Sequence, residues 1–568
     1  GRHPVSTTAR RLGQGVAGAA VLIAVITIAA RVTGFGKQLA FARTVGTNCL
    51  ATAYYTANQV PNLVFELVVG GALAGMVVPV LAGAAARSLG DGPDAAAARA
   101  EAGHIASALL TWVLVLLVPL AVLVALAAGP VIGLFTGGDV AGCDTAAVVD
   151  VATRMLVVFA PQIPLYGLAV VLYGVLQAHR RFGPPALAPL VSSLVVIVAY
   201  LAFPALSGGV RDVGAVPAAA ELVLSAGTTL GVLALVLTVV GPAARLGLPL
   251  RPTLRFPGGV AVRVRRLALA GLAGLVAQQL AMAAVILLAN REIGGGALAA
   301  YSFAWAIYQV PYAVLAVPIA TSAFPALSAQ ADGRDGDPEA FARLAAQTTR
   351  AVVLVSGLAA GVLAAAAAPI AQVFIAGMGG NVPAPWFARA IALFAPGLVG
   401  YGLIAHLSRV LYAIGRGRAA ATGTVAGWAV VIVAQAAFAV ALPQDWKLGG
   451  LAAGSAVGMT AGAAVLLVSV VRDRGARAVA GLPRAVLAAL AGGLAGWLAG
   501  AGVVALAGDA GVWGSAVVTV LAAFAAGVAG VAVAAAVNPA DVRAALGRVR
   551  SRGGGGWTGR PSGEDADG

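Results

Sequence analysis

Long apolar runs separated by short polar breaks make up most of this chain. They fall at about 15–36, 51–86, 103–128, 147–178, 184–204, 220–242, 268–290, 296–328, 349–370, 385–414, 419–442, 450–471, 485–507 and 512–537. A helix needs about 20 apolar residues to cross the hydrocarbon layer of a bilayer. The pattern therefore predicts an all-α polytopic membrane protein of about 14 transmembrane helices. Several runs exceed 25 residues, which predicts tilt, kinks or protrusion from the bilayer.

Composition agrees with this class. Of the residues, 60% are hydrophobic and only 10% are charged, against about a quarter charged in a soluble domain. Mean hydropathy is +0.95. The 75 glycines and 29 prolines suit a helical bundle in lipid, where small residues allow close helix contact and proline is tolerated.

A net charge of +15 raises the question of nucleic acid, and the position of the charges answers it. With loops numbered between the runs, 27 of the 36 Lys and Arg lie in the two tails and the even-numbered loops. Three (Arg211, Arg291, Lys447) lie in odd-numbered loops, and six (Arg31, Lys37, Arg43, Arg154, Arg389, Arg409) lie in or at the ends of spans. By the positive-inside rule the even loops and both termini are cytoplasmic. The basic charge is a topology signal, and no nucleic-acid partner is expected. The first run is too long for a cleaved signal peptide. The cytoplasmic tail, 538–568, ends Gly-rich and mixed in charge and is expected to be disordered.

This topology places both cysteines, Cys49 and Cys143, in outward loops of the same half, where a disulfide can persist. A Cys49–Cys143 bond is one reading, and two unpaired thiols the other. The four histidines are scattered, so no metal site is expected.

Internal repetition sets the architecture. Phe159-Ala160-Pro161, Tyr166-Gly167-Leu168, Val175-Leu176, Ala178 and Arg181 return 235 residues later as Phe394-Ala395-Pro396, Tyr401-Gly402-Leu403, Val410-Leu411, Ala413 and Arg416. Gln59-Val60-Pro61 likewise echoes in Gln309-Val310-Pro311. Spans 4 and 10 thus correspond, as do spans 2 and 8. The expected organisation is a tail (1–14), an N-lobe of six spans (15–242), a basic linker (243–267), a parallel C-lobe of six spans (268–471) and two appended spans (485–537). Such halves enclose a central site and rock about it for alternating access.

Charges inside spans are the candidate chemistry, because each costs about 2.5–3.5 kcal/mol at the bilayer centre and so usually faces a cavity. Arg31 and Lys37 end the first span, with Gly34 and Gly36 between them as bending points, and no acid falls in that window. They suggest a cationic pocket; interfacial snorkelling is the alternative, and the stronger reading for Arg43. Glu66, beyond Pro61 and Asn62 in span 2, offers a partner for a cation. His406 and Arg409 share a face of span 10 and are candidates to line a cavity. Asp150 and Arg154 read as an ordinary i,i+4 pair, and Asn290-Arg291-Glu292 as a solvated helix cap. Pro61 and Pro311 are candidate hinges.

The run Arg31-Val32-Thr33-Gly34-Phe35-Gly36-Lys37, then Gly46, Ala57-Asn58-Gln59-Val60-Pro61-Asn62-Leu63, Gly71-Ala72-Leu73 and Val78-Pro79-Val80-Leu81, resembles the MurJ (MviN) family. That family belongs to the multidrug/oligosaccharidyl-lipid/polysaccharide exporter superfamily. The resemblance continues at Gln309-Val310-Pro311, Phe324-Pro325-Ala326-Leu327-Ser328 and Val410-Leu411-Tyr412-Ala413-Ile414-Gly415-Arg416, and covers roughly 15–540. The Ala- and Arg-rich composition resembles an actinobacterial member.

The resemblance implies a non-enzymatic flippase in the bacterial plasma membrane. Its substrate would be lipid II, the undecaprenyl-pyrophosphate-linked peptidoglycan precursor, carried from the inner to the outer leaflet. It implies a cationic cavity in which Arg31 and Lys37 hold the pyrophosphate; Arg409, Glu66 and Asn62 are the further substrate-binding candidates that the residues themselves offer. Lys37 stands where the family usually has Arg, keeping the charge without the planar fork. The tail of the substrate would lie in a groove bordered by spans 13 and 14. Three charged family positions fall here at Thr52, Phe65 and Ala306. A non-transporting scaffold for cell-wall assembly and a multidrug or cation antiporter are the alternative functions. Lipid II, membrane lipids and cell-wall synthesis or division proteins are the expected partners. No cofactor is expected: no G-x-x-x-x-G-K-[ST] loop occurs, so a membrane potential or ion gradient would supply the drive.

Overall fold

The structure is a computed structural model and describes residues 6–67, 77–90, 92–269, 271–331 and 336–553. Residues 1–5, the Gly71-Ala72-Leu73 motif, Arg334 and the tail from 554 onward lie outside the described residues. The first half runs through α1 (Ser6–Thr44), α2 (Cys49–Val64), α3 (Val77–Ser88), α4 (Ala95–Leu126), α5 (Ala128–Thr136), α6 (Thr145–Phe159), α7 (Gln162–Ala178), α8 (Gly183–Ser207) and α9 (Ala218–Ala244). A connector carrying α10 (Val260–Leu269) leads to α11 (Leu272–Leu288), α12 (Ala297–Pro311), α13 (Val317–Ala331), α14 (Pro338–Ile375), α15 (Ala384–Phe394), α16 (Gly397–Ala413), α17 (Gly417–Ala441) and α18 (Gln444–Arg474). Then come α19 (Leu482–Ala507), α20 (Gly511–Val537) and α21 (Pro539–Gly553). Among the described residues there is no strand, and thirteen helical stretches are long and apolar enough to cross a membrane. The fourteenth expected span, 51–86, is divided between α2 and α3.

The sequence repeat is a structural repeat. Spans 4 and 10 each consist of two helices meeting at Phe-Ala-Pro: α6 ends at Phe159 and α7 starts at Gln162, while α15 ends at Phe394 and α16 starts at Gly397. Proline has no N–H to donate and its ring crowds the carbonyl one turn back, so the helix breaks there in both copies. Pro61 lies within α2 with a π-helical turn at 65–67 beyond it, and Pro311 closes α12 ahead of a π-helical turn at Tyr312–Ala316.

The repetition extends to single hydrogen bonds. Arg181 N donates to Leu176 O at 2.8 Å, and Arg416 N donates to Leu411 O at 2.8 Å. This helix-ending bond requires a left-handed residue just before it. In the second copy that residue is Gly415 (φ +74°); in the first it is Arg180 (φ +59°), the one non-glycine with positive φ among the described residues. A side chain there costs about 1–2 kcal/mol, partly offset by the greater chain freedom of glycine when unfolded. Arg180→Gly should therefore stabilise the protein by about 0.5–1 kcal/mol, read as a raised thermal midpoint in detergent. An unchanged or lowered midpoint would contradict the strain.

In lipid, helices gain little from apolar contact alone and associate through close packing and hydrogen bonds. The packing of α19 and α20 on α14 shows this. A Cβ on Gly361 of α14 would collide with Gly493 O of α19, and one on Gly492 would stand 2.7 Å from Gly530 O of α20.

Two expectations are corrected. The tail is not disordered throughout, because Pro539–Gly553 forms α21. The Asn538 side chain accepts from Asp541 N, and Asp541 pairs with Arg350 of α14 at 3.1 Å, which docks the start of the helix. Arg154 does not pair with Asp150. It forms a two-pronged contact with Glu221 of α9, at 2.8 and 2.9 Å. The first helix also starts at Ser6, within the expected tail.

Candidate functional site

At one face the two lobes are sealed together. Cys49, at the start of α2, is disulfide-bonded to Cys143 in the loop before α6 (Cα–Cα 5.8 Å). Against this bond lies Gly294-Gly295-Gly296 of the C-lobe. A Cβ on Gly295 would stand 2.7 Å from Cys143 Sγ and 3.0 Å from Cys49 Sγ, and one on Gly296 (φ +80°) would collide with the Thr47 carbonyl. Only glycine combines that backbone conformation with so close an approach.

Eight hydrogen bonds to oxygen cross between the lobes here. Gly296 N donates to Thr52 Oγ1 (2.7 Å), Gly295 N to Ala141 O (3.1 Å), Ala141 N to Asn290 O (3.2 Å) and Asn381 N to Thr47 O (2.8 Å). Asn290 Nδ2 donates to Thr56 Oγ1 and Phe135 O, both at 3.1 Å. Arg43 Nη1 donates to Ala376 O (2.6 Å), and Arg211 Nη1 to Met378 O (3.0 Å). Aromatic contacts lie alongside, with Phe41–Phe303 at 6.1 Å, Tyr55–Phe303 at 5.8 Å and Phe35–Phe374 at 5.5 Å. At about 0.6 kcal/mol for an average hydrogen bond between membrane helices, the eight contribute about 5 kcal/mol. That is comparable to the ~5.5 kcal/mol of differential binding with which a ligand inverts a two-state population.

Asn290 was expected as part of a solvated cap, and the structure corrects this: it is fully buried and central to the seal. Thr52, where the family pattern places an acid, is buried and uses its hydroxyl as the acceptor for Gly296.

Between the lobes lies a cavity of about 300 Å³. From α2 and the turn after it come Gln59, Asn62, Phe65 and Glu66, and from α7 comes Tyr166. The C-lobe supplies Gln278 and Gln279 of α11, Tyr301 and Trp305 of α12, and Trp428 of α17. Phe65 packs on Tyr166 with ring centroids 4.5 Å apart. Behind Trp305 a ladder of rings stiffens the C-lobe wall, with Tyr308 stacked on Phe394 (5.1 Å) and Tyr312 on Tyr401 (4.0 Å). Ala281, Met282, Val285 and Val431 complete the lining, so amides, aromatic rings and one carboxylate share the wall with apolar side chains. A second, larger hollow of about 520 Å³ is bordered by α14, α16, α18 and α19 and is almost wholly apolar, with Leu403, Leu467, Leu490, Leu494 and Trp497 among its walls. Helix α20 packs behind α19 and does not line it.

Of the expected binding residues, Asn62 and Glu66 line the central cavity; Arg31, Lys37 and Arg409 do not. Arg31 is exposed on α1, and Lys37 is half-buried on the same helix. Gly34 and Gly36 sit within this uninterrupted helix, and a Cβ on either would meet open space. Arg409 is half-buried and donates to Ala405 O of its own helix at 2.7 Å, while its neighbour His406 is buried against Thr348 Oγ1 (2.9 Å). Sequence reasoning missed Gln278 and Gln279. The available signal was two adjacent amides inside an otherwise apolar run.

The family model for lipid II flippase MurJ matches residues 41–534. Lipid II flippase MurJ of Burkholderia cenocepacia is 30% identical over 173 residues, which is 30% of this chain and 31% of that protein, so the alignment spans about a third of the relative's length. Among solved structures, the chain is similar to lipid II flippase MurJ in an inward closed conformation, with TM-score 0.64, 17% identity, and coverage of 89% of this chain and 97% of that one. It is also similar to an inward-facing multidrug resistance MATE family transporter of the MOP superfamily, with TM-score 0.62, 17% identity, and coverage of 81% and 99%. At such identities these structures speak to the fold, whereas the family model spans most of the sequence. The chain therefore belongs to the lipid II flippase MurJ family.

Proposed function

We propose that this protein moves lipid II from the cytoplasmic to the outer leaflet of the bacterial plasma membrane by alternating access. Both termini lie in the cytoplasm in this reading, since the arginine-rich loops fall on their side and the disulfide on the other. The observation that carries the proposal is the sealed disulfide face with a cavity between the lobes that holds a carboxylate and amides among apolar and aromatic walls. Arg31 and Lys37, six residues or about 9 Å apart along α1, take the pyrophosphate. The apolar hollow beside α19 is suited to the polyprenyl tail. Among the described residues no cation lines the cavity itself, and this favours the scaffold as the second reading.

One experiment separates the two readings. In cells depleted of their own lipid II flippase, expression of this chain should restore growth. It should also restore lipid II accessible to a membrane-impermeant binding reagent. Normal membrane insertion without either effect would sink the transport reading in favour of the scaffold.

A further inference from the structure

Among the described residues the central cavity has one charged side chain in its lining, Glu66. Among the described residues Glu66 forms no ion pair, although eight such pairs occur elsewhere. A carboxylate within a membrane bundle is costly and is retained where it meets a ligand, a partner or water. The surroundings decide which ligand. Trp305, Trp428 and Tyr166 also line the cavity, and aromatic rings favour a cation because their quadrupole is negative above the ring. Gln59, Asn62 and Gln278 offer donors and acceptors of the kind that peptide and sugar groups need. A pyrophosphate in the same space would meet a like charge and no cation. About 300 Å³ admits one cationic side chain with an adjoining unit, not a whole disaccharide–peptide headgroup.

Resting on the lipid II reading, we infer that Glu66 is a specificity-determining residue that binds an ammonium group of the precursor's peptide. The diamino acid of a peptidoglycan stem peptide carries such an amine. Headgroup recognition is thereby divided: the cavity reads the cationic peptide, and the pyrophosphate stays outside it beside α1.

The test is native mass spectrometry of the full chain, wild type and Glu66→Gln, with three probes. These are lipid II with its free peptide amine, the same lipid N-acetylated at that amine, and undecaprenyl pyrophosphate, which has neither sugar nor peptide. Acetylation should weaken wild-type binding roughly tenfold or more, the effect of losing a charged hydrogen-bond partner. Glu66→Gln should weaken the free-amine lipid by a similar factor, bind both lipid II forms alike, and leave undecaprenyl pyrophosphate unchanged, which also reports intact folding. Equal wild-type affinity for the two lipid II forms overturns the inference while the lipid II reading stands. If wild type binds none of the three, the lipid II reading fails and ethidium, an organic cation, decides the rest. Glu66-dependent ethidium binding supports a cation site serving another substrate, and its absence overturns the site.

Discussion

Gly296→Val is expected to break the disulfide-face seal and abolish transport. The new Cβ would collide with the Thr47 carbonyl and stand 2.8 Å from Asn48 N, so the obstacles are backbone atoms that cannot rotate aside. Gly296 also holds φ +80°, where a side chain costs about 1–2 kcal/mol and a β-branched one fits worst. Moving Gly296 away breaks its bond to Thr52 and strips the adjoining bond from Gly295 to Ala141. Two such bonds at about 0.6 kcal/mol each and the strain together remove about 2–3 of the ~5 kcal/mol in the seal, which raises the open population by tens-fold or more. A cysteine at Ala300, buried one turn below, reports it. A membrane-impermeant thiol reagent should label Ala300→Cys at least tenfold faster in the Gly296→Val background. Unchanged labelling with transport preserved would show that the glycine contact is not the barrier.

The second large effect is expected at α1. Arg31→Ala together with Lys37→Ala should lower binding of both lipid II and undecaprenyl pyrophosphate by a hundredfold or more. Hydrogen bonds to charged groups contribute about 1.5–3 kcal/mol each, so two lost cations reach that range. Among the described residues neither cation has a carboxylate partner to account for its retention. Lys37→Arg should bind at least as well as wild type, since it restores the planar fork. If the double variant binds undecaprenyl pyrophosphate as wild type does, the two side chains only snorkel to the interface, and the pyrophosphate lies elsewhere.

The spans and the duplication were legible because their signals are local. Phe159-Ala160-Pro161 and Phe394-Ala395-Pro396 break their helices through proline's own geometry, whatever surrounds them. What escaped depends on residues far apart in sequence. Asn290 looks like a solvated cap until Thr56 and Phe135 of the other lobe are brought against it. Arg154 has Asp150 within a turn, yet Glu221, 67 residues on, offers both oxygens in better geometry. Helix α21 is too polar to read as a membrane element, and its docking rests on distant partners: the Arg350–Asp541 pair and Val542 buried against Leu354, Ala488 and Ala534. In the central cavity Glu66 and Asn62 stood out as polar residues in an apolar run. Lys37 lies outside the lining because, among the described residues, α1 contributes none to that cavity, a placement that no spacing of charges reveals.

The disulfide also governs how the gate can open. Thr47 and Ala141 each lend a carbonyl to the C-lobe, and they sit beside Cys49 and Cys143, which are 94 residues apart yet covalently joined. Neither loop can swing away while the other stays. The bonds that Thr47 and Ala141 make to the C-lobe are therefore coupled through the disulfide, so the two loops leave the C-lobe together. In the proposed transporter the staple makes these two loops open as one leaf, and its reduction would let each move alone.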